Sequence, residues 1–134
     1  MVKPVRVLIA DDQPRALKSL AALLSTWPRV GRVQEATNGR EAVQMVKAWQ
    51  PDVVLMDVRM PEMDGLAATA QIKASWPHVK VIVLSIYAEY HDEALAAGAD
   101  AFVPKGEAPH ELLRLLAQIV EEIDALPGNA RVIP

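Results

Sequence analysis

A chain of 134 residues with 51% hydrophobic content and a net charge of −3 suits a single domain around a single core. It holds no cysteine, which excludes disulfides and thiolate metal sites, and its acidic balance gives no global basic field for nucleic acid. No apolar run approaches the ~20 residues of a membrane span, and MVKPVRVLIA enters a strand directly, so a cytoplasmic location is expected.

Apolar runs and helical periodicities alternate from there on. Val5–Ala10 predicts a first strand, and Pro14 stands in the first turn of the helix after it, where its missing N–H does no harm. Leu17, Leu20, Ala21 and Leu24 give that helix one apolar face. Val30–Ala36 predicts a second, weaker strand, and residues 41–49 a helix with Ala42, Met45, Val46 and Trp49 on one side. Residues 52–56 predict the third strand, and Asp64 and Gly65 open a helix that ends near Trp76. The fourth strand is expected at 79–84, a small helix at 89–97 ending at Gly98, and the fifth strand at 101–103. Pro109 opens a last helix whose Leu112, Leu113, Leu116, Ile119, Val120 and Ile123 are apolar. Trp27-Pro28, Trp49-Gln50-Pro51 and Trp76-Pro77 are each expected to end a helix, since the residue before proline is pushed out of the helical region. The tryptophans themselves read as packing at helix–strand corners. Such alternation argues an α/β fold, a parallel sheet with helices on both faces.

Polar residues stand where these apolar runs stop. Asp11 and Asp12 follow the first strand, Asp57 the third, Ser85 the fourth and Lys105 the fifth. Parallel sheets keep their active crevices at this C-terminal edge, so the five residues suggest one acidic site with a hydroxyl and an ammonium at its rim. Three carboxylates together repel and raise at least one pKa unless a cation lies between them. An all-oxygen ligand set points to Mg²⁺, because zinc needs His or Cys and calcium loops need another spacing. A carboxylate can also attack phosphorus and become an aspartyl phosphate. Asp57, alone at its strand end, is the candidate nucleophile, with Asp11 and Asp12 the metal pair. Lys105 is placed to neutralise a phosphoryl group and Ser85 to donate a hydrogen bond to it. His78, His91 and His110 show no ligand spacing and read as surface or cap residues. Singly, an Asp after a strand is usually a helix cap and a Lys there is usually solvated; only the joint pattern carries weight.

Val7-Leu-Ile-Ala-Asp-Asp12, Asp52-Val-Val-Leu-Met-Asp57 with Met60-Pro-Glu-Met-Asp-Gly65, Val81-Ile-Val-Leu-Ser85 and Ala97-Gly-Ala-Asp-Ala-Phe-Val-Pro-Lys105 together resemble the receiver domain of bacterial two-component response regulators. The resemblance covers about residues 4–124. It implies a flavodoxin-like, doubly wound five-stranded sheet in the order 2-1-3-4-5 with five helices. It also implies phosphoryl transfer from a sensor histidine kinase onto Asp57, with Mg²⁺ held by Asp11, Asp12, Asp57 and the backbone carbonyl of Arg59. The resemblance further implies a switch in which the Ser85 hydroxyl moves to meet the phosphoryl group and the aromatic at Phe102 turns inward. No enzymatic activity is expected beyond Mg²⁺-dependent self-phosphorylation and slow dephosphorylation at Asp57. Residues 1–124 are read as the receiver and 125–134 as a tail or the start of an interdomain linker.

Four departures stand out. Phe102 replaces the tyrosine often found there, and it could equally be a core residue at the sheet edge. Bulky Ile86 follows Ser85 where a small residue is common, which together with Arg59 and Tyr87 predicts a long-lived phosphoryl group. Gly106 follows Lys105 where proline is common, giving a freer loop. The last helix is apolar over more than one core-facing stripe, so Leu115 and Leu126 are expected to leave a patch for homodimerisation.

Competing readings fare worse. An aspartate-nucleophile phosphohydrolase needs a second Asp two residues on, where Arg59 stands. A flavin carrier would meet the acidic, glycine-free loop Asp11-Asp12-Gln13-Pro14. A stand-alone receiver, or a receiver-like interaction module that is never phosphorylated, stays open as the alternative. The stretches after Ser85 and around Lys105 look most like receivers joined to LuxR-type helix-turn-helix domains. DNA would then be reached only through an output domain, since no basic recognition helix is present in these residues.

Overall fold

The computed structural model describes residues 3–106 and 109–125. Five strands, β1 (Val5–Ala10), β2 (Val30–Ala36), β3 (Val53–Asp57), β4 (Lys80–Ser85) and β5 (Ala101–Pro104), form one sheet in the order 2-1-3-4-5. Every pairing is parallel. The helices are α1 (Pro14–Leu24), α2 (Gly39–Trp49), α3 (Gly65–Ser75), α4 (His91–Ala96) and α5 (Pro109–Asp124). This is the flavodoxin-like architecture expected.

Strand periodicity of two splits the core into two layers. Val5, Val7 and Ile9 of β1 and Val53 and Leu55 of β3 pack with Leu17 and Leu24 of α1 and Leu112, Leu116 and Val120 of α5. Leu8 and Ala10, with Val54 and Met56, pack instead with Ala42 and Val46 of α2, Ala68 and Ile72 of α3 and Ala94 of α4. Fully buried strands covered on both faces hold the carboxylate-bearing ends at one edge.

Helix starts follow local chemistry. Asn38 accepts from the Glu41 amide at 2.8 Å while Glu41 accepts from the Thr37 amide at 2.8 Å, a reciprocal cap that begins α2 two residues before the expected start at 41. Asp64 caps α3 by accepting from the Ala67 amide at 2.8 Å. At the far end of α2, Gln50 takes φ 51°, and Arg6 donates to the Trp49 carbonyl at 2.8 Å and to that of Gln50 while lying 5.3 Å from the Trp49 ring centre. A cation on the free carbonyls of a helix C-terminus is favourable.

Three expectations need correction. α1 stops at Leu24, ahead of Trp27-Pro28, because the Ser25 and Thr26 hydroxyls donate to the Ala22 and Leu23 carbonyls at 2.6 and 2.7 Å. The small helix at 89–97 is a 3₁₀ turn, Ala88–Tyr90, followed by a six-residue α4. Leu115 is half-buried against the α1/α5 layer, and the large apolar side chains exposed among the described residues are Ile86 and Leu95. Leu126 and the tail beyond it lie outside the described residues.

Candidate functional site

Parallel register brings the strand ends level. Ala10 pairs Met56, Asp57 pairs Leu84 and Ser85 pairs Pro104, so the polar residues just past these positions share one edge. Pro104 has no N–H to give the ladder, and the Lys105 amide continues it by donating to the Ser85 carbonyl at 2.8 Å. That bond delivers the Lys105 side chain to the crevice.

Asp11, Asp12 and Asp57 each offer an oxygen within 4.8 Å of the others. Asp11 is only 1% exposed. Its Oδ1 accepts from the Gln13 amide at 2.9 Å and its Oδ2 from Lys105 Nζ at 2.7 Å. Lys105 also stands 3.2 Å from Asp57 Oδ1, so one ammonium bridges two carboxylates. Ser85 is buried and its Oγ accepts from the Tyr87 amide at 3.0 Å.

Burial pushes the Asp57 carboxyl above its ordinary value; the Asp11 charge pushes the same way, and Lys105 opposes without prevailing. Burial pulls the Lys105 ammonium down, but the bonds and charges of Asp11 and Asp57 outweigh it, and the group ends above the usual lysine range. One lysine is therefore too little cation for three carboxylates. Hard oxygen donors with charge to spare fit a divalent cation such as Mg²⁺.

Lys105→Met, which keeps most of the apolar stem, is expected to cost about 2 kcal/mol in metal-free buffer, because it strands a buried carboxylate beside a second one. Urea unfolding with and without Mg²⁺ checks this. The deficit should shrink when Mg²⁺ is present, and an equal deficit in both buffers would assign Lys105 to packing alone.

Phe102 is half-buried against the α2–α4 layer, and its ring meets the His91 ring edge-on at 5.5 Å. His91, read as a surface or cap residue, is exposed yet packs on that aromatic. Gly106 adopts φ +96°, a conformation that favours glycine. No peptide bond among the described residues is cis, which leaves Val103–Pro104 trans.

Sequence reasoning missed two groups. Gly39 and Gly65 let backbone approach backbone: the Gly39 amide donates to the Met63 carbonyl at 2.9 Å and the Gly65 amide to the Val58 carbonyl at 2.7 Å. Both bonds pin the β3–α3 loop that carries Arg59. Tyr90 was not singled out either; with Tyr87 it receives the Arg59 guanidinium.

The chain matches the family model described as response regulator receiver domain over residues 7–117. It is 35% identical over 104 residues to the response regulator protein VraR of Staphylococcus saprophyticus, covering 76% of this chain and 50% of that protein. It is also 35% identical over 122 residues to protein-glutamate methylesterase/protein-glutamine glutaminase 1 of Methanosarcina mazei, covering 89% of this chain and 34% of that protein. The chain thus spans between about a third and a half of the length of these curated relatives. Among solved structures, a LuxR-family two-component response regulator from Aurantimonas sp. SI85-9A1 superposes with a TM-score of 0.81 at 25% identity, covering 89% of this chain and 87% of that one. The response regulator domain of Thermotoga maritima CheB gives a TM-score of 0.80 at 29% identity, covering 93% of this chain and 100% of that one.

Proposed function

This chain belongs to the response regulator receiver domain family, and from that premise we propose that it accepts a phosphoryl group on Asp57 from the phosphohistidine of a sensor histidine kinase. A carboxylate oxygen of Asp57 forms the new O–P bond as the N–P bond breaks, and the leaving imidazole takes up the proton it lacks. Asp11, Asp12, Asp57 and the Arg59 carbonyl would hold Mg²⁺. When bound, the ion supplies positive charge against the phosphoryl oxygens and the crowded carboxylates. Lys105 supplies a second positive group, bridging Asp11 and Asp57. Ser85 gives its O–H to a phosphoryl oxygen, and Phe102 reads the result across the α4–β5–α5 face.

The observation that carries this reading is the carboxylate cluster of Asp11, Asp12 and Asp57 bridged by Lys105. The test is incubation with Mg²⁺ and acetyl phosphate, followed by intact mass beside an Asp57→Asn control. One phosphoryl group that requires both Mg²⁺ and Asp57 supports it. Failure of the unmodified chain to gain one would favour a receiver-like module that works without phosphorylation.

Ile86 bears on lifetime. It is 66% exposed directly after buried Ser85, and it is read as a screen at the entrance on the strength of that sequence position. Ile86→Ala is expected to shorten the phosphoryl lifetime by roughly threefold, by opening a path for the attacking water. Loss no faster than in the parent would remove this role.

The finer assignments follow from the same premise. Residues 1–124 form the receiver, with 125–134 a tail or linker. No helix among the described residues is long and apolar enough to cross a membrane, and a cytoplasmic place beside the kinase's phosphohistidine suits the chemistry. Output through a DNA-binding domain of the parent gene product is the proposed end point; a gel shift with that product tests it. Homodimerisation on phosphorylation is expected from the apolar width of α5, although half-buried Leu115 gives it less support. The methylesterase activity named for longer relatives is not proposed for these residues; the catalysis proposed here is self-phosphorylation and slow hydrolysis at Asp57.

A further inference from the structure

The proposed chemistry uses the Arg59 carbonyl and has no use for its side chain. That side chain is far from idle. Its guanidinium carbon lies 4.1 Å from the centre of the Tyr87 ring and 6.0 Å from that of Tyr90. Nη1 donates to the Tyr87 hydroxyl at 3.4 Å and Nε to the Tyr90 hydroxyl at 3.3 Å, both long bonds. The two phenol rings meet each other edge-on at 6.0 Å. Arg59 is exposed, Tyr87 and Tyr90 are half-buried, and Tyr90 also packs against the α2–α4 side of the core, so the guanidinium stack itself lies at the surface.

Its position matters more than its strength. Arg59 belongs to the β3–α3 loop, which the Gly39 and Gly65 amide bonds tie down. Tyr87 and Tyr90 belong to the segment between β4 and α4, which contains only a three-residue 3₁₀ turn before a six-residue helix. A segment with so few internal hydrogen bonds opens locally unless something outside holds it. The Tyr87 amide, in turn, is the donor to Ser85 Oγ at 3.0 Å. Holding Tyr87 therefore holds the hydroxyl that must reach the phosphoryl group.

We propose that the Arg59 side chain is a latch: through Tyr87 and Tyr90 it clamps the β4–α4 segment and keeps the Ser85 hydroxyl engaged by the Tyr87 amide until Asp57 is phosphorylated. The clamp is a property of the resting chain; only its release rests on the reading of Asp57 as acceptor. As the Ser85 side chain moves to bring its O–H to a phosphoryl oxygen, its Oγ is carried away from the Tyr87 amide, and the segment must then slide against the Arg59 stack. Whatever stabilises the stack opposes the open form, and a ligand that needs the open form binds more weakly by the same factor.

Amide hydrogen exchange of residues 86–90 in metal-free buffer tests the clamp directly. Arg59→Ala and Tyr87→Leu should each accelerate it by about threefold to tenfold, the weight of an exposed cation–aromatic contact. The double variant should exchange no faster than either single one, Arg59→Lys should recover part of the protection, and the strand amides should not change. Unchanged exchange in Arg59→Ala, or additive effects in the double variant, would overturn the proposal.

Beryllofluoride with Mg²⁺, a phosphoryl mimic, supplies the second arm. Both single variants should bind it more tightly, by a factor matching the exchange. Were Arg59 merely an attractor of anions, Arg59→Ala would bind more weakly and Tyr87→Leu would be unaffected, which also overturns the latch. Should even the unmodified chain fail to bind while loop exchange responds as expected, the clamp stands and the reading of Asp57 falls.

Discussion

Asp57→Asn is expected to take up no phosphoryl group at any concentration of Mg²⁺ or acetyl phosphate, and yet to melt a few degrees higher than the parent in metal-free buffer at neutral pH. The first half follows from losing the nucleophilic carboxylate. The second follows from linkage. Burial, then the nearby Asp11 charge, hold the folded pKa of Asp57 above its unfolded value, against the pull of Lys105. A raised carboxyl binds its proton more tightly when folded. Its contribution to stability is thus present below the unfolded pKa and lost as the pH rises through the folded one. At neutral pH the ionised group works against folding, and the uncharged amide removes that strain. The advantage should vanish in acid, where both states carry the proton. Mg²⁺ should also raise the melting temperature of the parent far more than that of the variant. Calorimetry at pH 7 and at about pH 3, with and without Mg²⁺, covers each part. A variant less stable than the parent at neutral pH without metal would show that Asp57 is comfortable where it lies. Phosphoryl uptake by the variant would remove Asp57 as acceptor.

Gly65→Ala should damage the site from behind. A Cβ at this position would stand 1.8 Å from the Asp57 carbonyl oxygen, 2.8 Å from its carbonyl carbon and 2.9 Å from Met56 Cγ. Two of those atoms are backbone of a central strand and cannot step aside. The start of α3 must move off β3, taking the Arg59 carbonyl with it and breaking the 2.7 Å bond from the Gly65 amide to the Val58 carbonyl. A cost of about 3 kcal/mol is expected from such overpacking. Mg²⁺ affinity should fall at least about tenfold, since small displacements of a ligand oxygen are expensive. Urea unfolding and calorimetric Mg²⁺ titration would measure the two effects. Parent-like Mg²⁺ affinity in the folded variant would show that the loop can be displaced without harm to the cluster.

The sheet and the carboxylate corner were open to reading because β1, β3, β4 and β5 are short, largely apolar runs that stop at a polar residue. Asp11, Asp57, Ser85 and Lys105 share one sheet edge through strand order and register, and order followed from alternation and the motif resemblance. What stayed hidden depends on packing between elements distant in sequence. Arg59 finds Tyr87 and Tyr90 28 and 31 positions away, and no local pattern announces a rotamer. Gly65 looked like the opening of a helix, which it is, while its approach to the Asp57 carbonyl exists only once α3 lies on β3. The end of α1 went astray because a tryptophan–proline pair seemed a stronger stop than the serine and threonine hydroxyls two residues earlier. His91 could not be placed on Phe102 without knowing where α4 begins.

The glycine contacts behind Asp57 also bear on where a signal can travel. One wall of the crevice, the β3–α3 side, is bolted to the frame by close backbone contacts at Gly39 and Gly65 and has no slack to give. On the opposite wall Tyr90 and Ala94 pack against the core, while the Tyr87 end is held by one exposed guanidinium and the Ser85 hydroxyl. On the proposed latch, force generated between them is exported through the looser side, as in a vice with a fixed jaw and a sliding one. The side facing α2 and α3 serves as anvil, and a listener that needs news of Asp57 must sit on the sliding side.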